Sequence, residues 1–461
     1  MTQSSSRKTF RERLDHMIQE LRGEIMTGKR GAGEFLPSER DLVRQFRLSN
    51  KLIRIGLEQL VAEGLIHKIP RVGNQVAERT DGRPTLLRFG YHSTLDDEAG
   101  MAALLEAFHR EHPNIVVQTV PLTYHLYYDT VRNYMDSGLL DVVTMNTTNF
   151  LQFQAQDSLS MFEPVETDGS IYPFLEDAFR HEGQTWVRPF LYSPLILCYN
   201  CDQLEEAGVS VPFEPASWEE LIRTASRLTV ENIRFGLYFF LQSKNRWPVF
   251  LLQSGVVAAQ YPLPLEDTAD RILEGLQACR DILYAENAFP VFLSESDALA
   301  EDLLRDGRIS IIITTYFALS RLRGSNIRYD LAPLPSLREE RTLLLTIGLA
   351  INRRSKVKVA AKTFADFLLS DAAQRHIGRT TLSIPAIRLD PEERPEPSPS
   401  YRPPNFDLYR EIEPTFRHLS DMGLSVKLLD GIMKEARLFW AKMQDKSETR
   451  ERLVRLLREP S

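Results

Sequence analysis

The chain has 461 residues, 43 % of them hydrophobic and 26 % charged; such a length calls for two or three domains, and such a composition excludes wholesale disorder. The formal net charge of −7 argues against a protein that coats nucleic acid along its whole length. The charge is uneven, however: residues 1–79 carry 15 Lys and Arg against 10 Asp and Glu, and the remainder carries 41 against 53, so a basic head precedes an acidic body.

Residues 7–27 show apolar side chains at helical spacing (Phe10, Leu14, Met17, Ile18, Leu21, Ile25). Gly28, Gly31 and Gly33 break this helix. Ser38 is placed to cap the next one, with Glu39 and Asp41 in its first turn and Leu42, Val43 and Phe46 on its buried face. Ser49 caps a third helix that turns Leu52, Ile53, Leu57, Leu60 and Val61 inward and ends near Gly64. Residues 65–69 and 74–77 read as short strands joined by the turn Pro70-Arg71-Val72-Gly73. Three helices followed by a β-hairpin make a winged helix-turn-helix, an α+β domain over residues 1–79.

Residues 80–84 form a turn-rich linker. Strands at 86–91, 115–121 and 142–145 then alternate with helices at 99–109 and 127–135, and the rhythm returns with strands at 309–314 and 344–351 and a helix at 360–369. Such alternation implies an α/β sheet with helical crossovers. Residues 389–405, rich in Pro, Glu and Ser, read as a surface loop, and 406–457 as helical.

The head resembles the DNA-binding domain of GntR-family bacterial regulators. Leu36-Pro37-Ser38-Glu39-Arg40-Asp41-Leu42, then Leu48-Ser49 and Ile53-Arg54, then Ala62-Glu63-Gly64-Leu65-Ile66 carry the likeness in order. A recognition helix capped by Ser49 puts Asn50, Lys51 and Arg54 against major-groove edges or flanking phosphates. The resemblance implies DNA contacts from Arg40 and Arg54, near the caps Ser38 and Ser49. It also implies a wing of Arg71, Gly73 and Asn74 that approaches the minor groove. Asn50 and Asn74 stand where the family usually has Arg and Thr, which bears on the operator sequence. Readers of this type act as dimers on inverted repeats of double-stranded DNA.

Residues 85–461 resemble a family 1 extracellular solute-binding protein, a two-lobed α/β domain of the periplasmic-binding-protein type II class. The likeness rests on Leu87-Arg88-Phe89-Gly90-Tyr91-His92, on Leu105–Phe108 followed by His112-Pro113-Asn114-Ile115, and on Ser137-Gly138 with Asp141-Val142-Val143, where Leu140 replaces a proline. Pro189-Phe190-Leu191-Tyr192 with Leu197-Cys198-Tyr199-Asn200, and Trp218-Glu219-Glu220-Leu221, extend it. The resemblance implies one lobe of about 85–190 plus 333–380 and another of about 191–332 plus 381–461, with a ligand in the cleft between. Position in that family points to His92, Ser93, Asn146, Thr147, Tyr192, Thr315 and Tyr316 as ligand contacts. Trp247, in Ser243-Lys244-Asn245-Arg246-Trp247, is a separate candidate for a stacking platform. Arg246 would mark an acidic sugar if it met the ligand, but it is assigned to the surface.

Cys198, Cys201 and Cys279 read as structural, because the single C-x-x-C closes an apolar run and no helix start presents it. No G-x-S-x-G, G-x-x-x-x-G-K-[ST], H-E-x-x-H or Schiff-base lysine pattern occurs, so no catalytic residue, metal ligand or cofactor is expected. Met1 to Arg13 lacks the apolar core of a signal peptide, and the longest apolar runs are strand-sized, so a cytoplasmic location without a membrane partner is expected. The sequence thus points to a homodimeric transcription regulator whose effector is a sugar or oligosaccharide, sensed to control carbohydrate uptake or catabolism genes. It leaves open a peptide, a polyamine or another small solute.

Overall fold

The computed structural model describes residues 10–26, 29–31, 33–69, 72–77, 84–124, 126–166, 169–257, 263–286, 288–290, 299–388 and 402–459. The backbone divides into two compact units, residues 1–85 with 110–115, and 86–109 with 116–461.

The first unit contains α1 (Phe10–Met26), α2 (Glu39–Phe46), α3 (Asn50–Ala62), β1 (Ile66–Ile69) and β2 (Gly73–Val76). Both serine caps form as the sequence implies. Ser38 Oγ accepts the Asp41 N–H at 3.3 Å, and Ser49 Oγ accepts the Leu52 N–H at 3.4 Å. Between them Arg47 takes a left-handed conformation (φ 53°) that ends α2 and turns the chain into α3. Met17, Leu21, Leu42, Ile53, Leu60, Ile66 and Val76 form one apolar core shared by all five elements. β1 and β2 pair antiparallel with Ile66 opposite Val76. The chain before α2 adds a third edge to this wing, through Gly33 N to Val76 O (3.0 Å) and Leu36 N to Asn74 O (2.9 Å). Arg22 clamps Glu63 at the end of α3 through two bonds of 3.0 and 2.6 Å.

The second unit begins with β3 (Thr85–His92), α4 (Leu95–Glu98), α5 (Met101–Glu111), β4 (Ile115–Leu122), α6 (Tyr127–Asp136), β5 (Val142–Asn146) and α7 (Thr147–Ala155). Next come α8 (Pro173–Asp177), a small hairpin of β6 (Arg180–His181) and β7 (Gln184–Thr185), and the long strand β8 (Arg188–Asn200). The second lobe follows with α9 (Cys201–Glu206), α10 (Trp218–Leu228), β9 (Phe235–Tyr238), α11 (Pro248–Gln253), α12 (Leu265–Tyr284), α13 (Leu299–Arg305), β10 (Ile309–Thr315) and β11 (Tyr329–Ala332). The chain returns through β12 (Thr342–Ile351), α14 (Lys358–Leu368), α15 (Asp371–Thr380) and β13 (Ile384–Pro385). It closes with α16 (Leu408–Glu411), β14 (Phe416–Arg417), α17 (Val426–Trp440) and α18 (Lys446–Arg458).

The main path of the sheet runs β4-β3-β5-β12-β8-β10-β9, with β11 and β13 on β8 and β14 on β12. β8 serves both lobes. Its first half pairs with β12 (Pro194 opposite Leu344) and its second half with β10 (Tyr199 opposite Ile311). All of its residues except Arg188 are buried, as a strand covered on both faces requires. β12 carries an irregularity between Ile347 and Gly348. A Cβ on Gly348 would lie 2.6 Å from the Arg188 carbonyl oxygen, so only glycine lets the two strands approach there.

Two expectations change. The C-terminal region is helical from Val426 onward, whereas 406–425 holds only the one-turn α16, short turns and β14; Pro414 and the left-handed Gly423 (φ 64°) interrupt it. Cys201 does open a helix, α9, but burial raises its thiol to about 11 and pushes Cys198 up as well, so neither is presented as a thiolate. The loop expected at 389–405 and the linker at 80–84 lie almost wholly outside the described residues.

Candidate functional site

On the head, the first turn of α3 and the start of α2 present an exposed polar surface made of Ser38, Arg40, Ser49, Asn50, Lys51 and Arg54. Arg54 Nε donates to Glu39 Oε2 at 2.9 Å. The pair crosses from α3 to α2 and leaves the two Nη groups of Arg54 for a base edge or a phosphate. Gly73, with φ 151°, opens β2. Asn74 is buried (9 % exposed) and faces the head's interior, opposite Lys68 in the hairpin. Arg71 lies outside the described residues.

In the second unit, a narrow cleft of about 40 Å³ is bounded by residues far apart in sequence. Tyr124, Asn146, Thr147 and Thr148 line it from the first lobe, Asn245 and Phe317 from the second, and Leu345, Thr346 and Ile347 of β12 form its floor. Asn146 is held as the cap of α7, its Oδ1 accepting the Asn149 N–H at 2.8 Å. Thr346 is fully buried, and its hydroxyl has no hydrogen-bond partner among the described residues. A buried, unpaired hydroxyl costs free energy until a water or a ligand meets it.

A second cavity of about 570 Å³ shares Thr148 with the cleft. Its lining includes Gln242, Lys244, Trp247 and Pro248, residues of α17, and Leu456 of α18. Its volume falls in the range of small-molecule sites, roughly 300–1,000 Å³. Trp247 is 1 % exposed, and its indole N–H is also without a partner among the described residues.

The structure therefore brings Asn146, Thr147 and, through Thr148, Trp247 to one continuous region. It sends the others elsewhere. Ser93 is exposed beside β3, and Thr315 is buried with its hydroxyl accepting the Ala318 N–H at 3.2 Å. Tyr192 packs on Tyr172, Phe174, Tyr409 and Phe416, among residues that share no wall with the cleft. Tyr316 is fully buried and donates to the Phe406 carbonyl at 2.9 Å. Arg246 is buried rather than at the surface; it donates to the carbonyls of Ile313 and Asn245 at 3.3 and 3.1 Å and pins the Trp247 loop.

His92 has a supporting place. It is fully buried, with Nε2 3.0 Å from Asn149 Oδ1 and Nδ1 2.9 Å from Thr144 Oγ1. Thr144 also accepts the His92 backbone N–H at 3.0 Å, so its hydroxyl proton is free for Nδ1, and the neutral Nε2–H tautomer satisfies every partner. The ring is sandwiched between Tyr124 (4.6 Å) and Tyr127 (4.8 Å). Burial lowers its pKa to about 4, against the opposing pull of Asn149. His92 thus holds Tyr124, the aromatic lip of the cleft.

Tyr124, Thr148, Asn245 and Phe317 are cleft residues that sequence reasoning passed over. Each of the last three lies one or two positions from a residue it chose.

A two-lobed receptor with a cavity along its cleft, carrying a winged helix-turn-helix on the same chain, is the class that these features define. The chain belongs to the bacterial extracellular solute-binding protein family, matched over residues 92–375, and its residues 14–76 match the gntR family of bacterial regulatory proteins. A substrate-binding protein of Listeria monocytogenes in complex with cycloalternan is similar to it at 17 % identity and a TM-score of 0.69, over 81 % of this chain and 98 % of that one. Maltose-bound MalE3 of T. maritima matches at 18 % and 0.68, over 81 % and 99 %. The GacH receptor of Streptomyces glaucescens matches at 17 % and 0.69, over 82 % and 100 %. At such identities the likeness establishes the fold alone. Among the described residues no helix is long and apolar enough to cross a membrane, and no group of three His, Cys, Asp or Glu side chains could hold a metal ion.

Proposed function

We propose that this chain is a cytoplasmic transcription regulator whose affinity for operator DNA responds to a saccharide held between the sensor lobes. The observation that carries the reading is the union in one chain of an exposed, serine-capped recognition helix and a receptor fold with a ligand-sized cavity. Carbohydrate is favoured over peptide or polyamine because the fold's solved relatives hold cycloalternan and maltose. Asn146, Thr147, Thr148, Tyr124 and Trp247 are the contacts assigned, with the lobes divided near residues 190 and 332, where β8 and the approach to β12 cross. The head acts as a dimer on an inverted repeat, one recognition helix per half-site.

Two results test this. In fluorescence anisotropy with an operator fragment, a saccharide that stabilises the chain against heat should shift operator affinity roughly 5- to 150-fold, the range of a 1–3 kcal/mol coupling. Identical affinity with and without such a saccharide would refute the regulator reading. Arg54→Ala should weaken operator binding by about 1–3 kcal/mol if its guanidinium meets a base edge. Lys51→Ala should instead weaken binding to all sequences and lower the salt dependence. An Arg54→Ala protein with native operator affinity removes that residue from the interface.

A further inference from the structure

The recognition helix α3 carries one residue that the fold of the head does not explain. Ile53, Leu57 and Leu60 belong to the apolar core, and Gly56 lies so close to α1 that a Cβ on it would stand 2.3 Å from Met17 Cε. These four residues fix the rotation of α3 about its axis. At 3.6 residues per turn, Ile55 falls on the side away from the core, and it is 43 % exposed. Lys51, Arg54 and Glu58, its neighbours on that side, are exposed as well. A β-branched side chain lowers helix propensity relative to Lys, Arg or Glu, and this one gains little burial to offset the loss. Neither local structure nor packing selects isoleucine there.

The chemistry of the face narrows what Ile55 meets. Lys51 and Arg54 suit phosphates or base edges. An isoleucine has nothing to offer a phosphate, and the Glu58 carboxylate, one turn further on, is repelled by one. This stretch of α3 instead suits the floor of the major groove, where thymine presents an apolar 5-methyl group and the cytosine amine can donate to a carboxylate. Resting on the DNA-binding reading above, we infer that Ile55 selects part of the operator sequence by packing against a thymine methyl group. Arg54, held by Glu39 at 2.9 Å, flanks it.

The test uses the full chain. Repeated rounds of gel-shift selection from a randomised duplex library give the operator. Each thymine of that operator is then replaced by deoxyuracil, which removes the 5-methyl group alone, and affinity is read by fluorescence anisotropy. At one thymine in each half-site the replacement should weaken binding about fourfold, the worth of burying one methyl-sized group. Ile55→Ala should bind the thymine and uracil duplexes alike. Ile55→Val, which keeps a branched side chain, should retain part of the difference. Alanine is the better helix former and Ile55 lies outside the core, so Ile55→Ala should melt close to the native temperature. No loss on uracil replacement at any thymine, or a loss that Ile55→Ala keeps in full, overturns this inference and leaves the DNA-binding reading standing. A library that yields no enriched sequence overturns both.

Discussion

Replacing Gly236 by alanine is expected to destabilise the sensor by about 3–5 kcal/mol, at the upper end of single-residue effects. Gly236 lies in β9, which packs under α10. A Cβ there would stand 1.9 Å from the Ala225 carbonyl oxygen and 2.4 and 2.5 Å from its carbonyl carbon and Cα. All three atoms are helix backbone, so no side-chain rotation relieves the overlap. α10 cannot easily retreat, because Trp218, Leu221, Ala225 and Leu228 are buried and Trp218 Nε1 donates to the buried Gln253 at 2.8 Å. β9 ends the main path of the sheet, where its strand partner among the described residues is β10, and Leu237 N also bonds Ala288 O at 3.0 Å. Urea unfolding followed by circular dichroism should show the sensor melting early in the variant. A wild-type midpoint would mean that α10 accommodates the methyl group.

The second large effect is expected on the acid side of neutrality. His92 has a folded pKa of about 4 against an ordinary value of 6.5, because burial disfavours its charged form. The unfolded chain therefore binds the proton more readily, and the stabilisation is fully present above about pH 6.5 and lost as pH falls towards 4. Complete loss amounts to about 3 kcal/mol. Glu98 acts in the opposite sense. Burial raises its carboxyl to about 7, so the folded state takes up the proton first and gains stability as pH falls from 7. The informative quantity is accordingly the difference between wild type and His92→Gln at each pH. Melting temperatures from pH 7.5 to 4.5 should fall less steeply in the variant, and parallel curves would remove His92 as the cause. Because His92 stacks on Tyr124, the affinity for the ligand proposed above should decline over the same range.

The head was legible because its signals are local. Ser38 and Ser49 announce their helices by one hydrogen bond each, and the wing follows from a short run that needs only its neighbours. Strands such as β10 were equally plain, since a continuous apolar run buried on both faces has few other places to go. The cleft was harder. The motif points to Tyr316, but the chain turns that side chain to Phe406 and gives the next residue, Phe317, to the cleft. The sequence also points to Thr147 and Trp247, and the structure adds Thr148 and Asn245. Side-chain direction at a strand end is decided by partners distant in sequence, so a motif finds the neighbourhood and misses the position by one. His92 shows the same limit: its two hydrogen-bond partners lie 52 and 57 residues away.

The order in which the strands enter the sheet has a consequence for synthesis on the ribosome. Every element of the head lies between residues 10 and 76, so its partners emerge together and its contacts are local. The first lobe must wait. β5 pairs with β12, about two hundred residues later, and only after residues 191–332 have been made. A nascent chain thus carries a finished DNA reader well before it carries a finished receptor. A chain truncated within the second lobe would keep the reader and lose the ligand's control over it.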